Sequence, residues 1–200
     1  MRLLTAFCLM LVLTSTARAE DVDAQASAST TLNAAPEKPE VTRQRQLDAL
    51  LGKLHTAPAN ADVSKTEDEI WQIWVRNDSP TAEVLLRQSS AAISAGDYDP
   101  AEQMLSQALE TYPKYAEAWN RRAALYYLIK RYDAALIDAD HALALEPRNF
   151  GALIGKGLIL QAQKKHDEAK AAFEEALQIN PHLDAVAAML KQIERDRPNI

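Results

Sequence analysis

Residues Trp119 to Pro147 read W-N-R-R-A-A-L-Y-Y-L-I-K-R-Y-D-A-A-L-I-D-A-D-H-A-L-A-L-E-P, two amphipathic helical patterns parted by a polar turn. The same pattern stands on either side. Pro113, Pro147 and Pro181 lie 34 residues apart, and the same step links Ala101, Ala135 and Ala169, then Ala108, Ala142 and Ala176, then Leu109, Leu143 and Leu177. A fixed period of this size with a helix-turn-helix in each unit marks a helical solenoid: one unit cannot bury its apolar face alone, and stacked neighbours can. The recurring alanines have a physical role. Ala123 and Ala135 let the two helices of a hairpin approach, and Ala142 lets the next hairpin, starting at Phe150, nest against it.

These positions resemble the tetratricopeptide repeat family. Trp119, Ala123, Tyr126, Ala135, Ala142 and Pro147 match its large, small, aromatic, small, small and proline positions, and Leu153, Gly157, Leu160, Ala169, Phe173, Ala176 and Pro181 match in the next copy. An earlier copy departs more: Leu85, Ser89, Ala92 and Leu105 replace larger or aromatic residues, while Ala101, Ala108 and Pro113 are kept. The expected fold class is all-α: an α-solenoid of three tetratricopeptide helix-turn-helix repeats over residues 79–115, 116–149 and 150–183, with a helical N-terminal cap pair and a C-terminal capping helix. Ser79-Pro80 reads as an N-cap followed by proline at the first helical position. The second helix of each repeat opens on an aspartate, Asp99, Asp133 or Asp167, the first in the best capping context.

Outside the repeats, residues 1–19 read as a signal peptide. Arg2 supplies a positive start, Leu3 to Leu13 is an apolar run too short to span a bilayer, and Ala17-Arg18-Ala19 is a small-x-small site, so cleavage is expected before Glu20, with an uncleaved anchor as the alternative. Residues 20–41 are mostly small, polar or acidic and read as a disordered linker. Residues 42–78 form a helical pair, a cap or a decayed repeat. Leu47, Leu50, Leu51 and Leu54 lie on one face of its first helix, and the second starts near Ser64 or Thr66, each with a glutamate three residues on in a capping-box arrangement. Its Trp71 and Trp74 are expected to pack on the first repeat. Residues 184–197 form the capping helix, with Val186, Leu190 and Ile193 on one side.

Composition narrows the function. A net charge of −6 without a basic run argues against a nucleic-acid partner. Removing the signal takes away Cys8, the only cysteine, together with Arg2 and Arg18, leaving 20 basic residues against 28 acidic ones, a net of −8. A cysteine-free acidic chain behind a plain signal points to the periplasm and to no membrane span after cleavage. None of His55, His141, His166 and His182 has a second histidine three or four residues away, and Asp138, Asp140 and His141 read as a solvated helix face rather than a metal site. His166 stands where the other repeats carry Tyr98 and Tyr132 and reads as a packing residue. No nucleophile setting, phosphate loop or dinucleotide motif occurs. No catalytic residue, metal ligand or cofactor is assigned, and the chain is not read as an enzyme.

What remains is a surface. The resemblance implies that the first helices of successive repeats line a concave groove, which here would present Arg87, Ser90, Asn120, Arg121, Ala124, Tyr127, Leu128, Ile154, Leu158 and Gln161, with Gly151 and Gly155 leaving it open and Arg87 and Arg121 able to meet a carboxylate. The chaperone-binding members of the family clamp a C-terminal tail with lysine, asparagine and arginine. At those places this chain has Leu86 and Ser90, Arg121 with Asn120 displaced by one, then Gly151 and Gly155, so recognition of a Glu-Glu-Val-Asp-like tail is not expected. The reading is a non-catalytic periplasmic adaptor or scaffold that binds a peptide or helix of another protein in the groove with about micromolar affinity. The whole chain is similar to small exported tetratricopeptide repeat proteins of alphaproteobacteria. The alternative is an assembly factor for envelope machinery, of the cytochrome c maturation or outer-membrane assembly type, and the third reading is an enzyme with an unrecognised site in the N-terminal cap. Self-association stays open.

Overall fold

The computed structural model describes residues 39–195, and the signal and most of the linker expected from the sequence lie outside them. Nine helices make up these residues: α1 (Pro39–Thr56), α2 (Ser64–Val75), α3 (Pro80–Ala95), α4 (Tyr98–Thr111), α5 (Ala116–Leu128), α6 (Tyr132–Leu145), α7 (Phe150–Ala162), α8 (His166–Ile179) and α9 (Asp184–Arg195). No strand occurs among them. Pairs α3–α4, α5–α6 and α7–α8 are the three repeats, and α4 packs on α5 as α6 packs on α7. Ala101, Ala135 and Ala169, each 0% exposed, occupy equivalent places in the second helices, where a larger side chain would separate the hairpins.

The period also fixes the turns. Gly96, Lys130 and Lys164, one repeat apart, all have positive φ, at 84°, 62° and 62°. In each hairpin the next amide reaches back over five residues, from Asp97 to Ala92 O, Arg131 to Tyr126 O and Lys165 to Leu160 O, at 2.8–2.9 Å. That is the Schellman closure of a helix C-terminus, which needs a left-handed residue and favours glycine. Two of the three repeats hold lysine in it against the Cβ penalty of that region.

Packing across the repeats is continuous. The first repeat and the start of the second share Leu86, Leu105, Ala108, Leu109, Tyr115, Ala118 and Leu125, and the third repeat closes with Leu160, Ala169 and Phe173 against Val186 and Ile193 of α9. A Cβ on Gly157 would lie 2.6 Å from Phe173 Cδ1 and 2.8 Å from its Cζ, so this small residue is what lets the ring sit flat on α7. First helices α3, α5 and α7 touch their neighbours in series, α3 to α5 and α5 to α7, which places them on the inner side of the curve.

Several local expectations change. Helix α1 already includes Pro39, Glu40 and Val41, inside the span expected as linker, and Glu40 there bonds Arg43 and Gln44. Ser64 does not cap α2. Its hydroxyl and amide both turn to Asp62 Oδ1, and Glu67 is drawn away to Asn180, so the capping box is not formed. Asp99, Asp133 and Asp167 lie in the first turns of α4, α6 and α8 without capping them: the caps are Asp97, Arg131 and Lys165, none with a side-chain cap bond. Ser79 does cap α3, accepting from Ala82 N at 3.4 Å, with Pro80 next. His166 is exposed rather than packed.

Candidate functional site

The concave face starts with the first turns of α5 and α7. Asn149 caps α7 by accepting from Ala152 N at 3.0 Å, which sets the direction of the helix and brings Phe150, Gly151 and Ile154 to one side. That side is not empty. The ring of Trp71 lies on Gly151 so closely that a Cβ there would be 2.8 Å from Cζ2 and nearer still to Cη2. Trp71, Trp74 and Phe150 form an edge-to-face cluster with centroids 5.0–5.9 Å apart. Leu47, Leu51, Leu54 and Ile70 complete this core with Leu153 and Ala176.

The helical pair α1–α2 thus lies across the inner side of the solenoid. The tryptophans pack on the third repeat, not on the first as the sequence suggests, because Gly151 in α7 leaves room for the Trp71 ring where a Cβ would clash with it. Polar contacts fasten the pair along its length. Tyr115 donates its hydroxyl hydrogen to Val75 O, Arg148 binds Asp48 and donates to Gln44 Oε1 at 2.8 Å, Asn180 donates to Glu67 Oε1 at 2.6 Å, and the His182 ring meets Leu54 O at 3.1 Å. Burial pushes the Tyr115 hydroxyl well above the usual tyrosine range, helped by the nearby Glu117. Burial also raises the Glu67 carboxyl, against the opposing pull of Asn180 and His182. A cleft of about 830 Å³ remains between the pair and the solenoid edge, bordered by Arg43, Trp74, Tyr112 and Leu145.

The residues expected to bind a partner divide into two groups. Ser90, Asn120 and Arg121 are buried and engaged with one another: Arg121 donates to Glu117 at 3.0 Å and to Ser90 Oγ, and Asn120 donates to Glu117 Oε2 at 3.1 Å. Arg121, 8% exposed, therefore spends its charge inside the chain. Its partner Glu117, one helical turn back, was visible in the sequence as an i,i+4 pair. Gly151 and Gly155 are both buried, and the notch at Gly151 is filled. Ala124 is buried, and Ile154 packs between the Trp cluster and the third repeat. Tyr127, Leu128, Leu158 and Gln161, toward the ends of α5 and α7, are only half-buried, and Arg87 is exposed. Tyr127 rests on Tyr132 with centroids 5.8 Å apart.

The acidic set on α6 is likewise committed to structure. Asp138 accepts from Arg122 Nε and NH2 at 2.7 and 3.0 Å, the guanidinium lies over Trp119 at 5.0 Å, and His141 stacks on the same indole at 4.4 Å. Burial works against the charge of Arg122, and the Asp138 carboxylate outweighs it, so the guanidinium holds its proton more firmly. No group of three or more metal-ligating side chains occurs among the described residues. No described helix is long and apolar enough to cross a membrane.

Comparison with known proteins agrees with this geometry. Tetratricopeptide repeat models match residues 86–143 and 151–183. A TPR repeat-containing protein of Rhizobium etli is 33% identical over 138 residues, 69% of this chain and 68% of that protein. Sperm-associated antigen 1 of Mus musculus is 32% identical over 112 residues, which is 56% of this chain but only 12% of the mouse protein. Among solved structures, the first TPR of Spaghetti (RPAP3), bound to the HSP90 peptide SRMEEVD, superposes with a TM-score of 0.57 at 26% identity, covering 59% of this chain and 94% of that one. The repeat period, the stacked alanines and these likenesses agree, and the chain belongs to the tetratricopeptide repeat family.

Proposed function

We propose that the chain is a non-catalytic adaptor or scaffold of the periplasm that holds a peptide or helix of another protein on its concave face. The observation that carries this reading is that the face already accommodates a helix: α2 lies against α5 and α7 with an indole seated on Gly151. A surface that takes one amphipathic helix by an aromatic anchor has the shape and apolarity to take another. The peptide bound to the structurally similar Spaghetti domain supports the same use of the fold. The site differs from a two-carboxylate clamp, since Arg121 is neutralised by Glu117 and Asn120 is bonded to the same carboxylate. Tyr127, Leu128, Leu158 and Gln161 form the half-buried part of the face and Arg87 its exposed cation.

A photocrosslinking residue at Gln161, in the exported chain within its own cell envelope, tests this. The expected result is one dominant crosslinked protein that disappears when Leu158→Glu is added. Crosslinks that persist unchanged in Leu158→Glu, or none at all, would remove the groove from the account.

A further inference from the structure

Four observations concern the way α1–α2 is held. Its apolar contacts draw on both helices, with Leu47, Leu51, Leu54 and Ile70 against Leu153 and Ala176, and Trp71 on Gly151 with Trp74 and Phe150 beside it. The indole N–H groups of Trp71 and Trp74 are both buried there without an acceptor, which buried tryptophans usually find and which weakens the seat they occupy. The ion pair at the far end, Arg148 with Asp48, is largely exposed and adds little. The connection to the repeats is tied down from Asn77 onward, where Glu83 accepts from Asn77 N at 2.8 Å and Asn77 accepts from Ser79 N at 2.9 Å. The joint between the pair and the solenoid is therefore Val75–Arg76, with Arg76 exposed and extended at ψ 132°, and opening there breaks the Tyr115 hydroxyl bond to Val75 O and lifts Val75 off the first-repeat core.

We propose that α2 is a built-in ligand: it occupies the part of the concave face that an external amphipathic helix takes when α1–α2 swings out about Val75–Arg76. The proposal rests on the adaptor reading and specifies the regulation and the partner class of that groove. The occupant shows the chemistry that fits. Glu67 and Trp71 are four residues apart on one helical face, the carboxylate accepting from Asn180 and the ring filling the glycine notch, and Trp74 follows three residues later against Phe150. The partner class is accordingly an amphipathic helix with a carboxylate one turn ahead of a bulky aromatic or aliphatic residue. A phenylalanine or leucine at the notch brings no indole N–H to bury, so such a helix replaces α2 without the two unmet donors. Tethering gives α2 a high effective concentration, so the closed chain admits only partners that outcompete it, and the apparent affinity falls by the fraction of chain that is open.

The test uses a fluorescein-labelled synthetic peptide copying residues 62–77, read by fluorescence anisotropy against the full exported chain. Wild type is expected to bind at least about tenfold more weakly than Trp71→Ala/Trp74→Ala, because loosening α2 uncovers the face. Adding Gly151→Leu to that variant should abolish the gain by filling the notch. Far-UV circular dichroism reports whether the repeats stay folded. Asp48→Arg, an exposed change that sets two cations against each other at Arg148, serves as a second opening variant and should bind between the two. Equal binding to wild type and both opened variants, or a gain that survives Gly151→Leu, would overturn the proposal. A peptide that binds the opened chains while Gln161 crosslinks no partner upholds the built-in ligand and sinks the adaptor reading. The reverse outcome, a Leu158-dependent partner with no peptide binding, sinks the built-in ligand alone.

Discussion

Gly157 and Phe173 offer a change whose sign should reverse with background. Replacing Gly157 by alanine in a helix interior normally gains about 1 kcal/mol from propensity. Here the new methyl would lie 2.6–2.8 Å from atoms of the Phe173 ring, itself fully buried by Leu160, Ala169, Val186 and Ile193, so neither side can yield. Overpacking of this kind destabilises by about 1–3 kcal/mol, enough to cancel or exceed the propensity term. Phe173→Ala alone leaves a cavity and is expected to cost about 3–5 kcal/mol. In that background the ring is gone, the Gly157→Ala methyl enters the vacated space, and the same substitution should stabilise by about 1 kcal/mol. Urea unfolding of the four proteins, followed by far-UV circular dichroism, measures the cycle, with a coupling of about 1–3 kcal/mol expected for touching residues. Additive effects within about 0.5 kcal/mol would refute the idea that this glycine exists to seat the ring.

Other outcomes follow from the same geometry. Ala135→Leu, at a position with no exposure, should cost about 1–3 kcal/mol in the same assay by pushing the α5–α6 hairpin apart. Lys130→Gly and Lys164→Gly should each raise the thermal midpoint, since both residues hold a positive φ of 62° that glycine adopts without the roughly 1 kcal/mol Cβ penalty; a fall in both would contradict the turn assignment. Glu67→Gln keeps an acceptor for Asn180 while removing a carboxylate whose folded pKa is raised, so its thermal midpoint at neutral pH should be no lower than wild type. A raised carboxyl favours the folded state most at acid pH, below its unfolded pKa, and loses that contribution as pH rises, so the gain from Glu67→Gln should shrink on acidification. Tyr115 also has a raised folded pKa, so its contribution is complete below about pH 10 and is lost above it; Tyr115→Phe should flatten that alkaline loss in a pH series of thermal melts.

Much of the fold was legible because its constraints are local and periodic. A small residue every 34 positions announces where helices touch, and Ala101, Ala135 and Ala169 do sit at the inner contacts of successive hairpins. The left-handed turns share that period, and Gly96 was the signal that could have exposed the equivalent roles of Lys130 and Lys164. The docking of α1–α2 was not legible, since it depends on partners 100 to 128 residues apart, Asp48 with Arg148, Glu67 with Asn180 and Leu54 with His182. Nothing periodic marks them. Gly151 looked like an opening because a missing side chain reads the same whether it leaves space or receives a ring. Arg121 reads as available from its groove position alone, whereas the Glu117 carboxylate one helical turn back takes up its charge.

The central claim is that α2 lies in the chain's own groove with the Trp71 indole on Gly151. Nuclear Overhauser contacts between the Trp71 ring protons and the Gly151 α protons, recorded on the full chain, test it most directly. The account predicts strong cross-peaks at that pair, together with contacts from Trp74 to the Phe150 ring. Trp71 ring protons that instead meet residues of α3 or α4, with none to Gly151, would contradict it.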